Sequence, residues 1–138
     1  SDYSVKHKRA NWPEYHNKNL FTCDITKPYK LYNYNQPVQF DTITAWEVIE
    51  HIHPNNLKNF FKNINDNLCS GGFFCGSIST NEDVVEGHKL HQSVFTKEEW
   101  FNMIPNILKE TDLELFHYPF PNQVRKDIGS FHILLEKK

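Results

Sequence analysis

Three side chains that can accept or release protons cluster in the middle of the chain. Glu47, Glu50 and His51 occur in the run W-E-V-I-E-H of residues 46–51, at the end of a strongly apolar stretch. If a helical turn begins at Glu47, that residue and His51 stand four positions apart and share one face. An unperturbed imidazole titrates near neutral pH, so His51 is a candidate general base and Glu47 its candidate catalytic partner.

The elements that must position these residues alternate between strands and helices. The pattern predicts strands over 20–25, 40–48, 73–79, 113–118 and 131–136, and helices over 4–12, over 54–68 and from Thr96 onward. Residues 29–39 and 81–94 are predicted loops, because they are polar or interrupted by proline. Strands that alternate with helices favour an α/β fold with a parallel sheet, and the final two strands, with no helix between them, favour an antiparallel pair.

The helix over 54–68 is the clearest element. Its apolar residues recur at a spacing of three or four and form one stripe: Leu57, Phe60, Phe61, Ile64 and Leu68. The next helix carries a capping-box pattern, Thr96 followed three residues later by Glu99.

Composition excludes several classes of function. The chain has 138 residues, which suits a single domain over 1–138, and 15 Lys+Arg against 17 Asp+Glu give a net charge of −2. That balance argues against binding to nucleic acid. No apolar run is long enough for a membrane span, and neither a secretory signal nor a disulfide pattern is present, so we expect a cytoplasmic protein without a membrane partner.

Several motifs in order resemble those of class I S-adenosylmethionine-dependent methyltransferases. The run F-D-T-I-T-A-W-E-V-I-E-H-I of residues 40–52 resembles the fourth strand of that family. L-C-S-G-G-F-F of residues 68–74 is similar to its turn into strand five, with Ser70 in place of the usual proline. V-F-T-K-E-E-W of residues 94–100 is similar to a helix start in ubiquinone-biosynthesis-like members. The resemblance implies a Rossmann-like sheet of strand order 3-2-1-4-5-7-6.

The resemblance also implies a cofactor, S-adenosyl-L-methionine, and residues that bind it. Asp2 would accept hydrogen bonds from the ribose hydroxyls at the tip of strand two. Asp24 would take the adenine amino group at the end of strand three, and Ile25 would contribute a backbone N–H and an apolar surface for the ring. Trp46 would face the cofactor crevice. The implied reaction is methyl transfer to a small-molecule acceptor.

One family feature is absent from the sequence. None of the glycines, at positions 71, 72, 76, 87 and 129, forms the G-x-G-x-G loop that follows strand one in the family. The sequence also begins with Ser1, and Met103 is its one methionine. We therefore expect an N-terminally truncated methyltransferase sheet, with an unpaired edge at strand four that favours a homodimer.

Three alternatives remain open. The chain could be a non-catalytic methyltransferase-like scaffold, or a different doubly wound enzyme. It could also be a metal-dependent RNA 2′-O-methyltransferase, because those enzymes resemble the same E-x-x-E-H turn and add a later histidine to hold a divalent ion. His91, with His88 nearby, lies at a comparable place. The acidic balance weighs against RNA, and the favoured interpretation assigns no metal.

Overall fold

The computed structural model describes residues 20–117 and 129–138. Asp2 and the helix predicted over 4–12 lie outside these ranges. The strands are β1 (Leu31–Asn33), β2 (Gln36–Val38), β3 (Phe40–Trp46), β4 (Leu68–Ser79), β5 (Val84–Val85), β6 (His88–Lys89), β7 (Leu113–Leu115) and β8 (Ser130–Lys137). The α-helices are α1 (Leu57–Asn67) and α2 (Lys97–Leu108), and single 3₁₀ turns cover Ile49–His51 and Pro54–Asn56.

The main sheet has the order β3-β4-β8-β7. β3 and β4 are parallel and are joined through α1, whereas β8 is antiparallel to both β4 and β7. This order corresponds to strands 4-5-7-6 of the expected sheet. The α/β class and the antiparallel C-terminal strand pair are therefore confirmed.

The core lies between this sheet and the two helices. The predicted apolar stripe of α1 is buried throughout, and Phe60 and Phe61 pack edge to face against Phe74 of β4, with ring centroids 6.2 and 6.0 Å away. Such contacts add to the hydrophobic stabilisation. The capping box of α2 is present, with Glu99 N–H 3.2 Å from Thr96 Oγ1. Neither helix is long and apolar enough to cross a membrane.

Three of the four asparagines of α1, Asn63, Asn65 and Asn67, are buried and do not face solvent. Asn63 is buried, and its amide donates to the carbonyls of Ile25 and Lys27 at 2.8 Å each. Asn65 is also buried, and its Oδ1 accepts from Asp112 N–H at 3.1 Å. Buried amides need such partners, so these bonds fix the chain before β1 and the start of β7 relative to α1.

The predicted strand over 20–25 is wrong within the described residues. Leu20 forms only an isolated bridge, and the chain then turns at Ile25–Lys27. The reason is local: Asp24 Oδ1 accepts from the Thr26 N–H at 3.0 Å and from the Thr26 hydroxyl at 2.6 Å. This Asx turn competes with a strand for the same backbone groups. The two predicted loops contain short hairpins, β1–β2 and β5–β6.

The glycine pair 71–72 makes an irregularity at the start of β4. The register with β3 shifts between Phe40 and Thr42, so that Phe40 pairs with Leu68 but Thr42 with Phe73. Gly71 has a φ of +76°, and a Cβ on Gly72 would lie 2.9 Å from the Cys69 carbonyl oxygen. Only glycine fits both positions comfortably.

The outer edge of β3 is open among the residues that the structure describes. β4 lies on one side, and no strand of the described ranges pairs with the other. Beside this edge lies a groove lined in part by Tyr29, Leu31, Phe40 and Thr44. A central strand of an α/β sheet is normally paired on both sides, whereas within residues 20–117 and 129–138 this edge of β3 has no strand paired with it.

We expect the 138-residue chain to self-associate through this edge. Lysines on an exposed edge oppose strand pairing, so the double variant Thr42→Lys/Thr44→Lys should shift the chain toward monomer. Light scattering at several concentrations measures the mass. A wild-type chain that stays monomeric, with β3 amides that exchange quickly, would contradict this prediction. Lys62→Thr on the exposed face of α1 is a control.

Candidate functional site

The candidate site forms where the chain leaves the carboxyl end of β3. Glu47 has a left-handed backbone, with a φ of +52°, which a residue with a Cβ adopts at a cost. Its N–H donates to Ser77 Oγ at 3.0 Å, and its Oε2 accepts from Ser130 Oγ at 3.0 Å. The serines belong to β4 and β8, so two strands besides β3 hold this turn.

Glu50 is the most unusual residue of the turn. It is 0% exposed, and neither carboxylate oxygen has a hydrogen-bond partner among the described residues. Burial raises the pKa of Glu50 above its ordinary value, and the nearby Glu47 raises it further, against the opposing effects of its own backbone N–H, His51 and His91. A buried carboxylate without a partner is costly, which makes this position a candidate for function.

The loop before α2 is attached to the same turn. The Glu50 carbonyl oxygen accepts from the N–H groups of Gln92 and Ser93, at 2.7 and 2.9 Å. The buried Ser93 hydroxyl donates to the Ile52 carbonyl at 2.6 Å. These three bonds span about forty residues of sequence and bring the preceding residue, His91, to the turn.

The two histidines are oriented by backbone carbonyls. His51 Nδ1 lies 3.0 Å from the Leu90 carbonyl oxygen, and His91 Nδ1 lies 2.6 Å from that of Asn81. Because a carbonyl oxygen only accepts, each Nδ1 carries the proton. In each neutral ring Nε2 therefore presents a lone pair. The rings meet edge to face, with centroids 4.7 Å apart.

The structure brings Glu50, His51 and His91 together. One ligand atom from each lies within 4.8 Å of the other two, the one such acid–histidine group in the described ranges. His91 is half-buried and His51 exposed, so the group reaches from the interior to the surface. His88, in contrast, lies exposed in β6 and is not part of the group. These atoms can share a proton or hold a cation.

The structure places the residues that were expected to bind the cofactor in different surroundings. Trp46 ends β3 and packs edge to face on His132 of β8, with ring centroids 5.9 Å apart. Asp24 is exposed, and its Oδ1 accepts the hydrogen bonds of the Asx turn. Its Oδ2 lies 3.5 Å from Lys27 Nζ. Ile25 packs against the core. Their roles toward a cofactor, and that of Asp2, stay predictions.

Sequence reasoning missed the residues that support the turn. Ser77 and Ser130 bind Glu47, and the carbonyls of Asn81 and Leu90 orient the histidines. Ser77 could have been found, because it pairs with Trp46 in the parallel register and so lies beside the turn. The carbonyl contacts carry no sequence signal, since any residue provides that group.

Comparisons with known proteins bear on the fold. No family model and no curated protein matches the sequence. The structure is similar to an S-adenosylmethionine-dependent methyltransferase from Clostridium acetobutylicum, with a TM-score of 0.62 and 17% identity over 99% of this chain and 72% of that one. It is also similar to TehB from Haemophilus influenzae, with a TM-score of 0.53 and 15% identity. The chain shares the Rossmann-like α/β fold of these two structures. It spans about half of TehB, 48% of that chain.

Replacing Glu50 with Gln should stabilise the metal-free protein at neutral pH. The raised pKa of Glu50 means that the free energy of unfolding falls as pH rises above the ordinary value of 4.5. The variant does not titrate there, so its advantage should grow with pH, by about 1.4 kcal/mol per unit of pKa shift. Urea unfolding with a chelator at about pH 4 and pH 8 measures this. A variant less stable than wild type at the higher pH would show that the carboxylate supports the fold.

Proposed function

We propose that the chain is part of an S-adenosylmethionine-dependent methyltransferase that acts on a small-molecule acceptor. The observation that carries the proposal is the position of Glu47, Glu50 and His51 at the carboxyl end of β3. Ligands of open α/β sheets bind outside the carboxyl ends of the strands, and this sheet has a methyltransferase order. The fold of the Clostridium acetobutylicum enzyme supports the same conclusion.

The residues of this chain fit the side of such a site that binds the methyl acceptor better than the side that binds the cofactor. Trp46 and the buried carboxylates line the end of β3, but the sequence contains no G-x-G-x-G loop to approach the methionine end of the cofactor. Asp24 Oδ1 is already used by its own turn. We therefore assign the acceptor side of the site to this chain, and the glycine-rich loop to a part of the protein outside it.

The residues of the chain would orient and deprotonate the acceptor. When bound, S-adenosylmethionine supplies an electrophilic methyl group, so the protein needs mainly to align a nucleophile. The Nε2 lone pair of His51 can accept a proton at the exposed end of the turn, and the Leu90 carbonyl fixes its ring. The carboxylate of Glu47, held by Ser130, can bind an acceptor hydroxyl.

A groove next to this turn gives space for an acceptor. It is lined in part by Thr80, Thr96, Gly129 and Ser130, and its volume is about 310 Å³. Ser130 belongs both to the groove and to the hydrogen bond with Glu47. A volume at the low end of the range for ligand sites suits a small molecule. The net charge of −2 gives no support to an RNA acceptor.

Cofactor binding should depend on the glycine-rich loop. The 138-residue chain should bind S-adenosylhomocysteine weakly or not at all in calorimetry, because its sequence has no G-x-G-x-G loop. A form extended upstream to include such a loop should bind it. Low-micromolar binding by the 138-residue chain would contradict the assignment of the glycine-rich loop to a part of the protein outside this chain. No binding by the extended form would favour the non-catalytic scaffold.

Removing the turn's polar groups should reduce methyl transfer without unfolding. In the extended protein, Glu47→Ala and His51→Ala should each lower turnover by about tenfold or more, the low end for acid–base groups. Release of S-adenosylhomocysteine across a panel of hydroxylated small molecules measures turnover, and circular dichroism checks the fold. His88→Ala, on the exposed β6, is the matched control. Unchanged turnover in both site variants would remove this turn from the mechanism.

A further inference from the structure

We propose that the acceptor is a hydroxy acid and that Lys97 binds its carboxylate in the groove beside the turn. The inference rests on the proposed function and names the class of acceptor. Thr96 and Lys97 line the groove from the start of α2, and Ser130 lines it from β8. A cation and a serine bound to a carboxylate therefore face the same space of about 310 Å³.

The Lys97 ammonium is held at the groove without a counter-ion. Its Nζ lies 5.9 Å from the centroid of the Phe101 ring, a cation–π contact. The Phe101 ring packs on that of Phe131, which lines the groove, with ring centroids 5.6 Å apart. Among residues 20–117 and 129–138, no carboxylate lies within ion-pair distance of this ammonium. A cation that is positioned but not neutralised is suited to bind an anion.

The position of Lys97 in its helix does not serve the helix itself. Lys97 is the first residue of α2, where the helix dipole favours a negative side chain and opposes a positive one. Glu98 and Glu99 of the same turn follow that preference, and Glu99 completes the capping box. Lys97 is therefore unfavourable for the start of the helix, and an anion bound to its ammonium would offset that cost.

Thr96 adds a hydrogen-bond donor next to Lys97 in the lining of the groove. Its Oγ1 accepts from the Glu99 N–H at 3.2 Å, and a hydroxyl that accepts can also donate its own proton. Within the part of the chain that the structure describes, no group receives that proton. One ammonium and one hydroxyl suit a group with a single negative charge. We therefore assign a carboxylate rather than a phosphate, which proteins bind with arginine or several N–H groups.

Ser130 provides the contact for the hydroxyl of the acceptor. Its Oγ donates to Glu47 Oε2 at 3.0 Å and can still accept a hydrogen bond from a molecule in the groove. Lys97 forms no ion pair with Glu47, so the cation and the carboxylate can contact two different groups of one ligand. Phe131 gives the groove an apolar wall for the carbon skeleton that joins these groups.

Binding to the 138-residue chain tests the inference without the cofactor. The ligands are para-hydroxyphenylacetate and para-hydroxyphenylacetamide, which have nearly the same shape and differ in charge. In nuclear magnetic resonance titrations, wild type should bind the acid about fivefold more tightly than the amide, with shifts at the Thr96 and Ser130 amides. Lys97→Gln should reduce this ratio to about one. Salt at about 0.5 M should reduce the ratio in wild type, because it screens an exposed charge.

Lys58→Gln is the matched control. Lys58 is exposed in the first turn of α1 and does not line the groove, so this variant should keep the wild-type ratio. Near-ultraviolet circular dichroism confirms that both variants are folded. Equal binding of acid and amide by wild type would overturn the inference. So would binding of neither ligand, or a ratio that Lys97→Gln leaves unchanged.

Turnover by the extended protein separates this inference from the proposed function. The KM of the acid should be about fivefold below that of the amide, and Lys97→Gln should raise the KM of the acid more than it changes kcat. Binding of the acid through Lys97 without methyl transfer would overturn the proposed function but retain Lys97 as a carboxylate-binding residue. Methyl transfer that does not favour acids would retain the proposed function and overturn the inference.

Discussion

The arrangement of the candidate site depends on one backbone carbonyl, that of Glu50. It accepts N–H groups from both Gln92 and Ser93 and so fixes a loop that is distant in sequence to the turn after β3. Together with the Ser93 hydroxyl, which donates to the Ile52 carbonyl, and His51 Nδ1, which contacts the Leu90 carbonyl, these bonds hold His91 beside His51. Backbone hydrogen bonds of this kind are strong where water is excluded. The side chains that can do chemistry are therefore positioned by the main chain, and their own polar groups stay available.

This arrangement costs stability. Glu47 has a left-handed backbone, and the Glu50 carboxylate is buried with both oxygens unpartnered among the described residues. Each feature is unfavourable by an amount on the order of 1–3 kcal/mol. The buried core, which includes Ile49 of the turn together with Phe60, Phe61 and Phe74, offsets the cost. Unfavourable local features of this kind concentrate at functional sites, where well-packed surroundings hold them in place.

The sequence predicted those parts of the fold that follow from periodicity. The stripe of α1 and the capping box of α2 rest on regular patterns of apolar or capping residues, whereas the order of the last strands was implied by the family resemblance. The strand over 20–25 failed because the Asp24–Thr26 turn takes backbone groups that a strand would need. The resemblance pointed to His91, with His88 nearby, but the hydrogen bond to the Asn81 carbonyl that orients the His91 ring carries no sequence signal.

The tautomers of the histidines test the central geometry most directly. Two-bond ¹⁵N–¹H correlation spectra at about pH 8.5, where imidazoles are neutral, distinguish a proton on Nδ1 from one on Nε2. We predict the Nδ1–H form for His51 and His91. His53 is an internal control, because its Nδ1 accepts from the Asn55 N–H at 3.2 Å and should therefore carry its proton on Nε2. An Nε2–H form at His51 or His91 would contradict the account, since Nδ1 would then carry no proton to donate to the carbonyl that orients the ring.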